Sequence, residues 1–187
     1  MRQAKEVGPE IVNIAKKIAI REMKGHRNGS YRPSWRHPED VVELVRKVPG
    51  PFNENSRRYL EAVAWLHDVL EDTNVTPEEL IAEGIPEHVV EGVIALTKRK
   101  GLSTEVYYWI LNRRSDLVKI VKCCDRIANL REGKNVFEAR RWERYVQETE
   151  GFVWPLTFDV GLPWAEWAER ELEAAAGVFF KRIYPMR

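Results

Sequence analysis

At 187 residues, with 44% apolar and 32% charged, the chain has the size and make-up of one globular domain, or of one domain with an appended helix. Lys and Arg number 30 against 29 Asp and Glu, a formal net charge of +1, which argues against a broad nucleic-acid footprint but leaves room for a nucleotide held by a local group of cations. No run approaches the roughly 18 consecutive apolar residues of a membrane span, the first twenty residues lack a signal peptide's apolar core and cleavage site, and the adjacent Cys123 and Cys124 offer no disulfide framework. The expectation is a cytoplasmic protein with no membrane and no nucleic-acid partner.

The apolar spacing is helical almost throughout. A first helix is expected from about Pro9 to Met23, with Ile11, Ile14, Ala15, Ile18 and Ala19 on its inner face. Residues 25–35, rich in Gly, Asn, Ser and Pro, predict a polar loop. Pro38, placed in a first turn, opens a helix through Val48. After the break at "KVPGPFNENS" a helix spans about Arg57 to Glu71. "DTNVTPEEL" is a stop followed by a new start, with Thr76 as N-cap and Pro77 just inside, and Pro86 starts the next helix in the same way. Helices follow over about Ser103 to Asn112 and Asp116 to Leu130. Beyond Lys134 come a charged helix to about Glu150, an irregular "GFVWPLTFDVGLP" and a last helix from Trp164 to Phe180. No segment alternates like a strand, so the fold class is all-α.

Three segments carry chemistry: "RHPEDV", "AWLHDVLEDT" and "KIVKCCDRIANLRE". The dipeptide His67-Asp68 lies inside a strongly apolar helical run, where an imidazole and a carboxylate cost several kcal/mol to bury unless paired or ligated. His37 and Asp125, from other helices, would complete a mixed imidazole and carboxylate set suited to Mn, Fe, Zn, Ni or Co. Glu71 follows Asp68 and His67 by three and four residues, one turn on, where a carboxylate can take a proton from metal-bound water, and Asp72 adjoins it. Lys122, Asp125 and Asn129 share one face of the later helix. Asp125–Arg126 could alternatively be a charged pair on a solvated face.

These stretches resemble the HD-domain phosphohydrolase superfamily, with its ordered His…His-Asp…Asp ligands. More narrowly they are similar to the RelA/SpoT-type hydrolases of guanosine tetra- and pentaphosphate, (p)ppGpp. The likeness is carried by "HPEDVVELV", "AWLHDVLEDTNVTPEEL", "VVEGVIALTK" and "LVKIVKCCDRIANLRE", covering roughly residues 10 to 150. It implies a compact helical HD-type bundle over 1–187, with a core at about 9–150 and a C-terminal extension at about 151–187. It implies one divalent metal ion, usually Mn²⁺, on His37, His67, Asp68 and Asp125. Glu71 and Asp72 match the acidic pair assigned to water activation, and Lys122, Asn129 and Arg131 match residues near the nucleotide.

The sequence departs from the family in "MKGHRNGSYRPSWRHP": Met23 stands for a first-helix histidine, His26 for a glutamine and Asn28 for a substrate-facing arginine. Arg27, or Arg32, can take the arginine's place. The implied activity is release of the 3′-pyrophosphate of (p)ppGpp by a metal-activated water. The alternatives are a phosphohydrolase of nucleoside monophosphates or another small nucleotide, and a non-catalytic nucleotide-sensing module. The length fits a stand-alone hydrolase.

Trp35, beside His37, is a candidate for base stacking, and Tyr107 a candidate to face the site. Arg140, Arg141 and Arg144 are most simply solvated, His88 is a surface residue, and at least one cysteine is a core filler. Trp164, Trp167, Leu172 and Phe179 form an apolar stripe on the last helix. It serves either a homo-oligomer interface or packing against the domain itself.

Overall fold

Pro9 fixes its own φ and lacks an N–H that would have had no partner, and it starts α1 (Pro9–Glu22), whose Ala15, Ile18 and Ala19 are buried against α3. A computed structural model describes residues 6–26, 31–161 and 163–180. α2 (Arg36–Lys47) turns Val41, Val42, Leu44 and Val45 inward, and His37 with them. α3 (Glu54–Leu66) is N-capped by Asn53, whose Oδ1 accepts the Ser56 N–H at 2.8 Å. A short α4 (Val69–Asp72) follows after two residues.

Thr76 begins α5 (Pro77–Ala82) with a reciprocal capping box: its hydroxyl accepts the Glu79 N–H at 3.2 Å, and Glu79 accepts the Thr76 N–H at 2.8 Å. α6 (Glu87–Leu96) follows Pro86, and α7 (Thr104–Leu111) is capped by Ser103. α8 (Asp116–Gly133) has 13 of its 18 residues buried, which marks it as the helix the others surround. It packs against α2, α3 and α6 on the side of the candidate residues, and against α10 and α11 elsewhere. α9 (Ala139–Glu148) runs into a π-helical turn at Thr149–Val153, then α10 (Trp154–Asp159) and α11 (Trp164–Ala176). Among the described residues there is no strand, only an isolated bridge between His26 and Pro33, and the all-α expectation is borne out. No helix among them is long and apolar enough to cross a membrane.

Three boundaries differ from the sequence expectation. The helix predicted over about 57–71 is broken at His67 and Asp68. The stretch from Gly151, expected to be irregular, is helical. Pro155 sits in the first turn of α10, where its missing N–H is tolerated, and the wider π turn absorbs the change just before it. The last helix ends at Ala176 because Gly177 adopts a left-handed φ of 73° and closes it. The Phe180 N–H then returns to the Glu173 carboxylate at 2.9 Å. On α11, Trp164 and Leu172 are buried and Trp167 partly so, while Phe179 beyond its end is exposed. Both cysteines are buried in α8, and burial pushes the Cys123 thiol up to about 12.

Leu66 closes α3 fully buried, immediately before the break. Truncating it to Ala should cost about 2–5 kcal/mol of unfolding free energy, seen as a lower midpoint in urea with an unchanged slope.

Candidate functional site

Neighbouring residues on a straight helix point about 100° apart and reach one atom only where it lies just off the helix face. The break between α3 and α4 removes that restriction. His67 keeps helical angles (φ −56°, ψ −34°) as the residue that caps the end of α3, while Asp68 moves to φ −97°, ψ −8°. Asp68 then caps α4, its carbonyl accepting the Glu71 and Asp72 N–H groups at 3.1 and 2.9 Å. As a result His67 Nε2 and Asp68 Oδ1 lie 3.2 Å apart.

His37 arrives from the first turn of α2 and Asp125 from the middle of α8. His37 Nε2 is 3.0 Å from Asp125 Oδ1, 3.3 Å from His67 Nε2 and 3.7 Å from Asp68 Oδ2; His67 Nε2 is 3.5 Å from Asp125 Oδ1. Donor atoms about 2.1 Å from one cation lie about 3.0 Å apart in octahedral and about 3.4 Å apart in tetrahedral arrangement. His37, His67 and Asp125 therefore fit one ion together, and Asp68 stands beside them with one oxygen 3.2 Å from His67 Nε2 and the other 3.7 Å from His37 Nε2. Their chemistry fits too, since two imidazoles and two carboxylates are a set for Mn, Fe, Zn or their neighbours rather than for a thiolate-seeking metal. His37, His67 and Asp125 are all buried.

The surroundings orient these donors. His67 Nδ1 lies 2.7 Å from the Ala64 carbonyl, a contact that requires the proton on Nδ1 and turns Nε2 toward the cluster. Asp125 is held at both oxygens: Lys122 Nζ donates to Oδ2 at 2.8 Å and the Asn129 amide donates to Oδ1. Burial alone would lower the His67 pKa, but the carboxylates of Asp68 and Asp125 outweigh it and raise it to about 10. Burial would raise both carboxyls, yet His67 holds Asp68, and Lys122 with the two histidines holds Asp125, well below the usual carboxylate range. The site thus carries a field that favours positive charge at its centre.

A cavity of about 220 Å³ opens beside the cluster. His67, Asp68, Glu71 and Asp72 line it from the α3–α4 region, Lys122, Asp125 and Asn129 from α8, and Phe137, Arg141 and Tyr145 from α9 and the turn before it. Glu71 is pushed up by burial, against the Lys98 backbone N–H that donates to its Oε2 at 2.9 Å. Seven of the residues singled out in the sequence therefore share this space, and His37 stands behind them. Arg131 is not among the lining residues; it is half-exposed and pairs with Glu171 on α11. Arg27 lies outside the described residues. Arg32 pairs with Asp40 through both terminal nitrogens.

Trp35 is partly buried with the Arg36 guanidinium over its ring at 4.3 Å, and the Tyr107 hydroxyl donates to the Leu96 carbonyl at 2.6 Å; neither lines the cavity. Met23 is packed in the core. His88 is partly buried and stacks on Tyr59. Arg126 is buried, not solvated. Phe137 and Tyr145 went unnoticed in the sequence, and Arg141 read as solvated. The available signal was the spacing of four that puts Arg141 and Tyr145 on one face of α9, with Phe137 just ahead of its start. Phe137 approaches through Gly133, where a Cβ would meet its ring at 2.6 Å.

No protein-family model matches the chain. Over 170 residues it is 27% identical to the GTP pyrophosphokinase rsh of Brucella melitensis, covering 86% of this chain and 22% of that protein. It is 30% identical over 155 residues to the probable guanosine-3′,5′-bis(diphosphate) 3′-pyrophosphohydrolase of Synechocystis, covering 78% of this chain and 20% of that one. The chain therefore spans about a fifth of the length of these curated relatives. Among solved structures, a metazoan ortholog of SpoT, described as hydrolysing ppGpp and acting in starvation responses, superposes with a TM-score of 0.73. That match covers 94% of this chain and 100% of the other at 19% identity, which makes the helical fold common to both. The resemblance to RelA/SpoT-type proteins is borne out by these likenesses.

Proposed function

We propose that the cavity is the active site of a metal-dependent hydrolase that removes the 3′-pyrophosphate of (p)ppGpp. His37, His67, Asp68 and Asp125 hold one divalent ion, most simply Mn²⁺. The observation that carries this reading is the convergence of His37, His67 and Asp125, with Asp68 within 3.7 Å of both histidines, beside a cavity with its own carboxylate at Glu71. The similarity to a protein named as a guanosine-3′,5′-bis(diphosphate) 3′-pyrophosphohydrolase supports the substrate. We take residues 1–187 as a single HD-type domain acting in the cytoplasm.

When bound, the ion supplies Lewis-acid polarisation of a phosphoryl oxygen and acidifies a water. The rest falls to the chain. Glu71, whose carboxyl burial raises above its ordinary value, accepts the proton of the attacking water, and the Lys98 N–H holds its carboxylate in place. Asp72, adjoining it on the cavity wall, orients that water. The water oxygen bonds to the phosphorus carried by the ribose 3′ oxygen. The bond from that phosphorus to the 3′ oxygen breaks, and the 3′ oxygen takes up a proton. GDP or GTP and pyrophosphate result.

Lys122 and Asn129 serve the substrate indirectly, because both are engaged with Asp125. Arg141 supplies a guanidinium for the phosphates, while Arg131, expected near the nucleotide, is paired with Glu171. Phe137 and Tyr145 offer aromatic surface to base or ribose, and Arg27 remains a candidate contact on the strength of the resemblance alone.

Two measurements check this. The first is release of phosphate and pyrophosphate from a nucleotide panel, with Mn²⁺ and with chelator. Pyrophosphate from ppGpp, dependent on Mn²⁺, is expected. Asp68→Ala should lose both metal and turnover, and Glu71→Gln should keep the metal and lose about 10²–10⁴-fold in kcat. Orthophosphate from monophosphates would instead keep the metal centre and overturn the substrate.

The second is calorimetric titration of Mn²⁺ in buffers of different ionisation heat. Asp68 and Asp125 keep a proton on His67 at every pH below about 10, so binding near neutrality must expel it. About one proton should be released per ion, with apparent affinity rising with pH until it levels off near 10. Binding without proton release would remove His67 from the ligand set.

A further inference from the structure

α9 carries the Arg141 and Tyr145 wall of the cavity, yet none of its own residues is fully buried. Trp142, Tyr145 and Val146 lie only partly against the core. A helix so lightly packed is placed only in part by its apolar face, and its position over the cavity needs a second cause.

That cause is Arg126, which is 3% exposed and one residue beyond Asp125, on a different side of α8. Its Nη2 donates to Glu148 Oε1 at 2.5 Å and to the Tyr108 hydroxyl at 2.8 Å. Its Nη1 reaches the Tyr145 carbonyl and Thr149 Oγ1, each at 3.4 Å, and its guanidinium carbon lies 3.9 Å from the centre of the Tyr145 ring. Tyr108 in turn stacks on Phe152 in the π turn, with ring centres 5.2 Å apart. One guanidinium therefore ties α8 to α7, to the end of α9 and to the π turn, all at the point where the chain changes helical register. Such turns recur at functional sites. Arg126 is not among the cavity-lining residues, so these contacts are not substrate contacts.

We propose that Arg126 is a positioning residue that latches α9 onto α8, and so sets the cavity's affinity for its nucleotide while leaving metal and water chemistry to the α3–α4 and α8 carboxylates. The statement about affinity rests on the function proposed above; the latch itself does not. Lysine at this position keeps the charge but loses the planar fork that serves several acceptors at once.

Three readouts on the full chain loaded with Mn²⁺ test it: hydrogen exchange, the dissociation constant for ppGpp in a Glu71→Gln background, and steady-state kinetics. In Arg126→Lys the amides of residues 139–148 should exchange about tenfold faster while those of α3 and α8 stay unchanged. The dissociation constant and KM should rise about tenfold, with kcat within about twofold and Mn²⁺ affinity unaltered. Glu148→Gln, at a more exposed position, should show the same pattern in case the lysine variant folds poorly. Unchanged exchange in α9, uniform acceleration in every helix, or a fall in kcat at constant KM would each overturn the proposal. If the wild type neither binds nor cleaves ppGpp, the functional reading falls and the affinity claim with it; fast exchange confined to α9 in the variants would show that the latch had not failed.

Discussion

Two imidazoles and two carboxylates crowd together in the middle of a helical bundle, each histidine within 3.7 Å of both carboxylates. Burying one such charge alone costs several kcal/mol, so four are tolerated only where each compensates the others. The surrounding fold is arranged to meet that condition. The Ala64 carbonyl fixes one imidazole, Lys122 and Asn129 fix both oxygens of Asp125, and α3 gives up its continuity so that Asp68 can turn back beside His67. The helical hydrogen bonds lost at that break are worth about 1 kcal/mol each, less than an uncompensated carboxylate would cost.

α8 answers two demands with one sequence. Toward α2 and α3 it presents Lys122, Asp125 and Asn129, a polar stripe at one-turn spacing; elsewhere it buries Val118, Val121, Cys124 and Leu130 among its neighbours. The small, chemically quiet thiols let α8 sit close to the segments behind it, Cys123 approaching the Val153 carbonyl at 3.8 Å. α11, pinned to α8 by the pair Arg131–Glu171, closes the far side. A residue that sequence similarity places near the nucleotide therefore helps hold the C-terminal helix.

Local chemistry made most of the helix starts legible. Pro9, Thr76 with Pro77, Pro86 and Ser103 each lack a better use than the first turn, and each is found there. The His, His-Asp and Asp donors were legible for a different reason: polar groups inside apolar helical runs need a partner. The break at 67–68 was not legible, because "EAVAWLHDVLED" holds no Gly or Pro and favours helix on propensity alone. Tertiary attraction between Asp68 and two histidines decided it. The helix after Gly151 was hidden by breakers that happen to stand where a helix tolerates them. Arg126 was misjudged because its charge neighbour in sequence, Asp125, faces another side of the helix, and its true partner Glu148 is 22 residues away.

The distribution of charge around the cavity also bears on the order of events. Asp68, Glu71, Asp72 and Asp125 bring four carboxylates to its lining, against three cations, Lys122, Arg141 and the protonated His67, which gives up its charge when a metal binds. Lys122 is committed to Asp125, and elsewhere Arg126, Arg131 and Arg32 are matched to Glu148, Glu171 and Asp40. A nucleotide bearing two pyrophosphoryl groups would meet net repulsion in such a space, and like charges in close contact at low dielectric oppose binding by several kcal/mol. A divalent cation held by His37, His67, Asp68 and Asp125 would, on the proposed function, bring positive charge to the place where the scissile phosphate would sit. On the proposed function the metal is therefore a condition of substrate entry as well as of hydrolysis, and nucleotide binding follows cation binding. A chain with a net charge of only +1 can then hold a highly anionic substrate, because the missing charge is borrowed with the metal.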